Sequence, residues 1–363
     1  MNIGILGGGQ LARMLALAGY PLGLQFKIFD AAPDATAGQL APLLAEDPND
    51  TPALLWFSRN LDAITYEWEN MPVASTRYLN QRVPVYPPPR ALEIAQDRQV
   101  EKSFFQDLGV PVPPFEAIES RDELEAAVAK LGLPAILKTR RFGYDGKGQF
   151  RLQTARDIEK AWQELGGVPL ILEGFVPFTR ELSILVARAQ NGEKKFYPLV
   201  ENHHSQGILR LSIAPAPDTE SLQATAQDYI SRIADELNYV GVLALELFQV
   251  EDDLIANEIA PRVHNSGHWT IEGSQTSQFE NHLRAVAALP LGETAMKAPF
   301  AAMINLIGVL PPLCDVLQIA GASAHYYGKE VKPNRKVGHI TVVAQTMDEL
   351  RERIAAARQL AAG

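Results

Sequence analysis

Apolar residues along this chain fall into two kinds of run. Some are short and continuous, as in buried strands; others recur every three or four positions, as on the inward face of a helix. The two kinds alternate from the N-terminus, which predicts an α/β protein whose first domain is doubly wound. Residues 2–6 (NIGIL) read as a strand, 7–10 (GGGQ) as a tight turn, and 11–18 (LARMLALA) as a helix stopped by Gly19. Strands follow at 25–29, ending in Asp30, and at 61–65, running into Tyr66-Glu-Trp-Glu-Asn70. The stretch 83–89 (VPVYPPP) can continue neither a helix nor a central strand, so the first domain is expected to span 1–90.

The next pattern, 91–288, opens with one predicted helix over 91–108 that carries Asp97, Arg98 and Lys102. Ser120 and Glu123 form a capping box for a helix ending at Gly132. The apolar run 134–137 predicts a strand that delivers Lys138, 150–152 a strand that leaves, and 169–172 another, with a helix capped near Thr154 between them. Together they make a small lid subdomain, about 115–180. Beyond it come a long strand at 182–189, a hairpin signal at Asn191-Gly192, and a return strand leading to Glu201-Asn-His-His204. Strands at 242–250 and 254–260 are joined by Glu251-Asp-Asp253, and a β-rich segment, 289–363, closes the chain.

Between the strands at 134–137 and 150–152 lies KTRRFGYDGKGQ, residues 138–149, with three glycines, several cations and one acid. Glycine allows close approach of backbone to a ligand, and amides with Lys and Arg suit phosphate oxygens, so this reads as a lid over a nucleotide triphosphate or as a basic surface hairpin. Composition sharpens the choice. The chain has 363 residues and a formal charge of -10 with a pI near 5.3, which argues against a nucleic-acid footprint and an anionic membrane surface. Basic groups that converge locally must then serve small anions. A lone cysteine, Cys314, excludes an internal disulfide and fits a reducing compartment. Without a long apolar run or a signal-peptide pattern, the cytosol is the expected location.

Four further groups carry candidate chemistry. Gly7, Gly9 and Ala12 with Asp30 satisfy the dinucleotide fingerprint in its alanine form, yet nothing later supplies hydride chemistry, so no NAD is expected. Glu67 and Asn70 stand at a strand's carboxyl end, where such sheets bind ligands or carry a solvated loop. Glu173, followed by Gly174, Phe175 and Val176, can hold an adenine and its ribose. The sharpest derivation concerns the paired strands: with a three-residue turn, Val250 faces Leu254 and Glu246 lies opposite Glu258, on otherwise apolar strands. Opposed buried acids are unfavourable unless a cation sits between them, which predicts a Mg²⁺ site for ATP; Asn257 would point to the other face. Arg262 follows closely and suits a carboxylate-like anion or a departing phosphate. His264 and His268 are four apart, but no HExxH is present and a glycine lies between, so zinc is rejected. A basic cluster, Lys329, Lys332, Arg335 and Lys336, reads as a second phosphate site or a solvated loop.

In combination these features resemble the ATP-grasp superfamily. The segments GGGQLARML, TYEWENMP, GYDGKGQ, NEIAPRVHNSGHWT and YGKEVKPNRKVGH are similar to the N5-carboxyaminoimidazole ribonucleotide synthase family of purine biosynthesis. The resemblance implies an α/β ATP-grasp fold with an N-terminal Rossmann-like domain, an ATP-grasp domain over 91–288 and a small C-terminal domain. It implies a homodimer and a reaction of ATP, bicarbonate and 5-aminoimidazole ribonucleotide, by way of carboxyphosphate, to the N5-carboxylated ribonucleotide, ADP and phosphate. Arg98, Lys138, Glu173, Val176, Glu181 and His204 would hold ATP, together with the loop Gly143, Tyr144, Asp145, Gly146, Lys147, Gly148 and Gln149. Glu246 and Glu258 would hold Mg²⁺, with Asn257 in the same site. Arg262, His264 and Asn265 would stabilise the reacting anion. Tyr144 and Asp145 would contact the aminoimidazole ribonucleotide, its phosphate would meet Lys329, Arg335 and Lys336, and Gly8, Gly9, Gln10 and Glu67 would complete that pocket. Sister ligases, such as the formate-dependent glycinamide ribonucleotide transformylase or a biotin carboxylase, share the ATP chemistry; the acceptor separates them, and Tyr144-Asp145 with the basic loop favours the imidazole.

Overall fold

The computed structural model of the chain describes residues 1–143 and 147–361. The expected lid residues Tyr144, Asp145 and Gly146 lie outside that set. The first four strands, β1 (Asn2–Leu6), β2 (Gln25–Asp30), β3 (Leu43–Ala45) and β4 (Ala63–Tyr66), form a parallel sheet in the order β3-β2-β1-β4. The tight turn after β1 is confirmed, and its glycines answer to close approach: a Cβ on Gly9 would stand 2.7 Å from the Glu67 carboxylate. The proline stretch does not leave the domain at once; Val85 bridges Ile64, so the connector runs along the sheet beside β4.

A second, antiparallel sheet has the order β5-β8-β6-β7, from β5 (Phe115–Ile118), β6 (Ala135–Thr139), β7 (Gln149–Leu152) and β8 (Leu170–Gly174). Its inner face packs on the helices Arg121–Leu131 and Asp157–Leu165 through Leu137, Leu172, Ile158 and neighbours. Helix start signals were legible here: Ser120 Oγ accepts the Glu123 amide hydrogen at 3.3 Å. The single helix expected over 91–108 is instead two, Pro89–Ala95 and Arg98–Asp107. Asp97 breaks it, because its carboxylate caps the second helix at the amides of Gln99 and Val100 and pairs with Arg140 at 2.7 Å.

The third sheet is the largest, nine strands in antiparallel pairs. Its strands are β9 (Arg180–Arg188), β10 (Lys194–Phe196), β11 (Val200–Ser205), β12 (Ile208–Ala214), β13 (Gly241–Val250), β14 (Asp253–Ala260), β15 (Phe300–Ile307), β16 (Ala322–Tyr326) and β17 (Lys336–Ala344). The order is β14-β13-β9-β11-β12-β15-β17-β16, with β10 on β9. The C-terminal strands therefore extend the central sheet rather than building one of their own. One face of this sheet meets the N-terminal domain, where the helix Gln10–Gly19 packs on the helix Gln278–Val286. Gly19 permits that contact, since a Cβ there would fall 2.8 Å from Leu283. The three sheets thus converge on one cleft.

Candidate active site

The cleft measures about 690 Å³ and draws on all three sheets. Its floor is the β13–β14 hairpin. The turn is Glu251-Asp252, one residue shorter than expected, with Val250 paired to Asp253 and Glu251 at φ +52°. Farther in, Leu247 pairs with Ala256 but Leu245 with Ile259, so Glu246 faces both Asn257 and Glu258. This is a β-bulge, and its extra residue restores the match between Glu246 and Glu258 that the shorter turn alone would have lost. The bulge also corrects the expectation for Asn257, which does not turn away: Glu246, Asn257 and Glu258 all line the cleft.

A bulge leaves ladder groups unpaired, and the helix Arg98–Asp107 takes them up. Lys102 Nζ donates to the Asn257 carbonyl at 3.1 Å, and Glu101 Oε1 accepts the Ile259 amide hydrogen at 2.8 Å. From the same face Arg98 Nη1 donates to Glu258 Oε2 at 2.7 Å. Glu101 was missed in the sequence and Lys102 had no role there. Their signal was present: Arg98, Glu101, Lys102 and Phe105 share one helix face, and Phe105 is fully buried, so the charges lie on the inward stripe. Burial, with Glu258 nearby, pushes the Glu101 carboxyl well up, and burial lowers the Lys102 ammonium.

Glu246 has a different partner. Burial alone would raise it, but the hydrogen bond from His264, Nε2 to Oε1 at 3.1 Å, together with the charges of His264, His204 and Arg262, holds the carboxyl at about 2. The His264 backbone is fixed by the Gln278 side chain, which accepts its N–H at 2.8 Å and donates to its carbonyl at 2.6 Å. Next to it, both polar side-chain atoms of Asn265 are buried without partners, as is Asn257 Oδ1. Two carboxylates and an unpartnered amide oxygen are hard oxygen donors and fit Mg²⁺. Among the described residues no three His, Cys, Asp or Glu group as a metal cage, so a cation here would need substrate oxygens as well. His268 lies 3.2 Å from Gln278, and burial lowers its imidazole well below the ordinary range.

Beside the two glutamates a smaller cavity of about 70 Å³ is lined by Arg98, Arg140 and Arg262 among others. Each guanidinium is balanced by a local acid, Arg262 by Glu69 at 2.7 Å across the domain boundary. Glu69 was not foreseen; the sequence reading favoured its neighbours Glu67 and Asn70.

The roof is the small sheet. Lys138 on β6 reaches Glu173 Oε2 on β8 at 2.9 Å, and Lys102 reaches the same oxygen at 3.4 Å. Burial alone would raise Glu173, but the two lysines hold it at about 2. Glu173 is 2 % exposed and does not line the cleft, and the amides of Gly174 and Phe175 already donate to the carbonyls of Pro114 and Pro134, so neither can meet a base edge; Val176 is buried behind them. Gly143, Lys147 and Gln149 line the cleft, while Gly148, at φ +72°, uses its carbonyl to accept the Thr139 amide hydrogen. Opposite, Glu181 lies 2.8 Å from His204 Nδ1; burial alone would lower the imidazole, but Glu181, together with Glu246, raises it. Phe178 and Phe248, stacked at 4.7 Å, add an unforeseen apolar wall.

The third side joins the two ends of the chain. Gly9, Gln10 and Glu67 line the cleft, and Lys329 Nζ bonds Gln10 Oε1. The amides of the glycine turn are occupied: Gly8 N–H donates to Asp30 at 2.6 Å and Gly9 N–H to Glu67 at 2.9 Å. Lys336 lines the cleft, whereas Arg335 turns to the Glu330 carbonyl at 3.4 Å and Lys332 pairs with Glu330 at 2.8 Å.

Comparison with known proteins finds relatives over nearly the whole chain. A model of the ATP-grasp domain matches residues 103–279, a ribonucleotide synthetase preATP-grasp domain 1–96, and a phosphoribosylaminoimidazole carboxylase C-terminal domain 301–353. The chain is 54% identical to the N5-carboxyaminoimidazole ribonucleotide synthase of Pseudomonas aeruginosa, over 98% of each. It is similar to the crystal structure of N5-carboxyaminoimidazole ribonucleotide synthetase from Thermus thermophilus, with a TM-score of 0.95 at 56% identity over 99% of this chain and 98% of that one. The Aspergillus clavatus synthase in complex with ADP and 5-aminoimidazole ribonucleotide matches with a TM-score of 0.92 at 30% identity, over 99% and 98%.

Proposed function

The chain belongs to the N5-carboxyaminoimidazole ribonucleotide synthase family, ATP-grasp ligases of purine biosynthesis, and from that premise we propose how its residues divide the reaction. The observation that carries the proposal is the bulge on β14, which turns Glu246, Asn257 and Glu258 into one cleft beside an arginine-lined cavity sized for a small anion. Glu246 and Glu258, with Asn257 Oδ1, would hold Mg²⁺, which would supply positive charge against the triphosphate. Arg98 and Lys138 take the phosphates, Gly143, Lys147 and Gln149 cover them, and Phe178 and Phe248 face the base. Glu181 and His204 bind the nucleotide from the opposite wall. Glu173 acts through Lys138 rather than on the ribose.

Bicarbonate occupies the small cavity, where Arg262, with His264 and Asn265 beside it, balances its charge. Its oxygen attacks the γ-phosphorus, ADP leaves, and the resulting carboxyphosphate breaks down to CO₂ and phosphate. The carbon bonds the exocyclic amine of 5-aminoimidazole ribonucleotide as that nitrogen gives up a proton. The acceptor lies between Gln10, Glu67, Lys329 and Lys336. We assign no nicotinamide to the β1 turn, whose amides are bound by Asp30 and Glu67. No helix among the described residues is long and apolar enough to cross a membrane, and the exposed Cys314 agrees with a reducing cytosol; a homodimer with domain joins near residues 90 and 289 completes the reading. The test is phosphate release from Mg·ATP and bicarbonate with and without aminoimidazole ribonucleotide. Strong stimulation by that nucleotide is expected; release indifferent to it but stimulated by another amine overturns the reading.

A further inference from the structure

The break in the helical run at residues 96 and 97 has a second effect, at the foot of the roof loop. Two consecutive arginines leave β6 there and grip two consecutive side chains. Arg140 pairs with Asp97 through Nε at 3.0 Å and Nη2 at 2.7 Å, and its carbonyl accepts the Arg98 amide hydrogen at 3.0 Å. Arg141 Nη2 donates to Gln96 Oε1 at 2.8 Å. The other end of the Gln96 amide reaches the N-terminal domain, where Nε2 donates to the carbonyls of Glu69 at 2.9 Å and Met71 at 2.7 Å. These partners fix which way round the amide sits. Carbonyls only accept and a guanidinium only donates, so the nitrogen must face the former and the oxygen the latter. One buried side chain thus ties three segments of the chain together.

Those segments are walls of the small cavity. Glu69 and Asn70 line it from the N-terminal domain, Phe142 and Gly143 from the roof loop, and Gln96 is part of the lining. Glu69 also carries the carboxylate that holds Arg262, and its segment continues from Glu67 and Trp68, which line the larger cleft. The roof wall is held against its own preference. Phe142 stands at φ +62° with 68% of its surface exposed, so burial of its ring does not offset an unfavourable backbone. Such a conformation persists only where the surroundings fix it, and the grip of Gln96 on Arg141 comes immediately before it. We propose that Gln96 is a positioning residue that holds the two walls of the cavity at a fixed separation, so that carboxyphosphate forms where the acceptor's amine can capture its carbon. The role rests on the functional reading above, in which bicarbonate occupies this cavity. A displacement of about 1 Å is enough to lose such alignment. Carboxyphosphate that meets water instead gives back bicarbonate and phosphate, and ATP is consumed with no carbon–nitrogen bond formed.

The experiment measures coupling in the full-length protein with Mg·ATP, ¹³C-bicarbonate and aminoimidazole ribonucleotide. Phosphate released is compared with carbon bonded to the amine, read by ¹³C NMR. Wild type should release about one phosphate per carbon fixed. Gln96→Met keeps the length of the side chain but none of its three contacts, and should release about three or more, with the Kd for ATP within about twofold. A ratio still near one, at any rate of turnover, overturns the proposal, since a merely loosened fold slows both products together. Arg141→Met leaves the buried amide in place and removes only the contact to the roof loop, from an exposed side chain. Its ratio should rise to about two; an unchanged ratio also overturns the proposal. The double variant should be no less coupled than Gln96→Met alone, and a further rise in its ratio counts against the shared role. The two readings can fail separately. Wild-type release indifferent to aminoimidazole ribonucleotide removes the functional reading, whereas strong stimulation with variant ratios near one removes only the role of Gln96.

Discussion

The floor and the roof of the cleft both present a glutamate to a cation, and they hold it in opposite ways. On the floor, Glu258 keeps 38% of its side chain exposed and pairs with Arg98 at 2.7 Å, on a surface that a substrate can reach. In the roof, Glu173 keeps 3%, shares one oxygen between two lysines, and does not line the cleft. An acid with an open side is available for ligand; an acid enclosed by two ammonium groups is part of the framework. Sequence pattern alone gives both the same appearance, a carboxylate on a short apolar strand.

Substitution should pull the two apart. Glu258→Gln is expected to lower ATP turnover by about two orders of magnitude or more while the melting temperature stays within about 2 °C, because a cation ligand is lost and no buried charge is stranded. Turnover near wild type removes the metal assignment. Lys102→Met tests a side chain that touches both halves, at the Asn257 carbonyl and at Glu173. It should cost stability on the order of 3 kcal/mol in denaturant and reduce turnover about tenfold; loss of only one of these would place Lys102 in one half.

Glu173→Gln belongs to the roof alone and should destabilise by on the order of 3 kcal/mol, since two buried ammonium groups lose their anion. Its pH dependence has a definite sign. The carboxyl is held at about 2 against a usual 4.5, so its stabilisation is whole above the usual value and lost as pH falls toward 2. Wild type and Glu173→Gln should therefore converge in denaturant titrations between about pH 5 and pH 2. A gap that does not change with pH refutes the paired-lysine account. Smallest is Gly148→Ala, where φ is +72° and a Cβ would meet Thr139 Oγ1 at 2.6 Å. Roughly 1 kcal/mol of strain is expected in the roof, with the floor's affinity for Mn²⁺ unchanged.

Sequence patterning reached the floor by a route that the structure corrects. A three-residue turn put Glu246 opposite Glu258; the true turn has two residues, and the bulge supplies the missing one. Apolar alternation carries no mark of a bulge, because both residues at the wide point face the same cavity and neither is apolar. Strand periods and glycine turns delivered the three sheets and Lys138. They could not show that Asp30 and Glu67 occupy the amides of the first glycine turn, or that Glu101 and Lys102 grip β14, since such contacts join residues 22 to 158 positions apart. The split helix at Asp97 was legible in principle, an N-cap residue ahead of Arg98.

The strand order also sets a timetable for the ribosome. The outer edge of β12 pairs with β15, so Ala214 waits for residue 301, roughly 90 positions later in synthesis. At ordinary translation speeds that edge stays open for about 4 to 18 s, with unpaired backbone groups that a neighbouring nascent chain could zip onto. Lys336, which the cleft needs, emerges later still. A chain stalled before the last quarter is therefore both inactive and adhesive, and cellular quality control meets this protein at one predictable place.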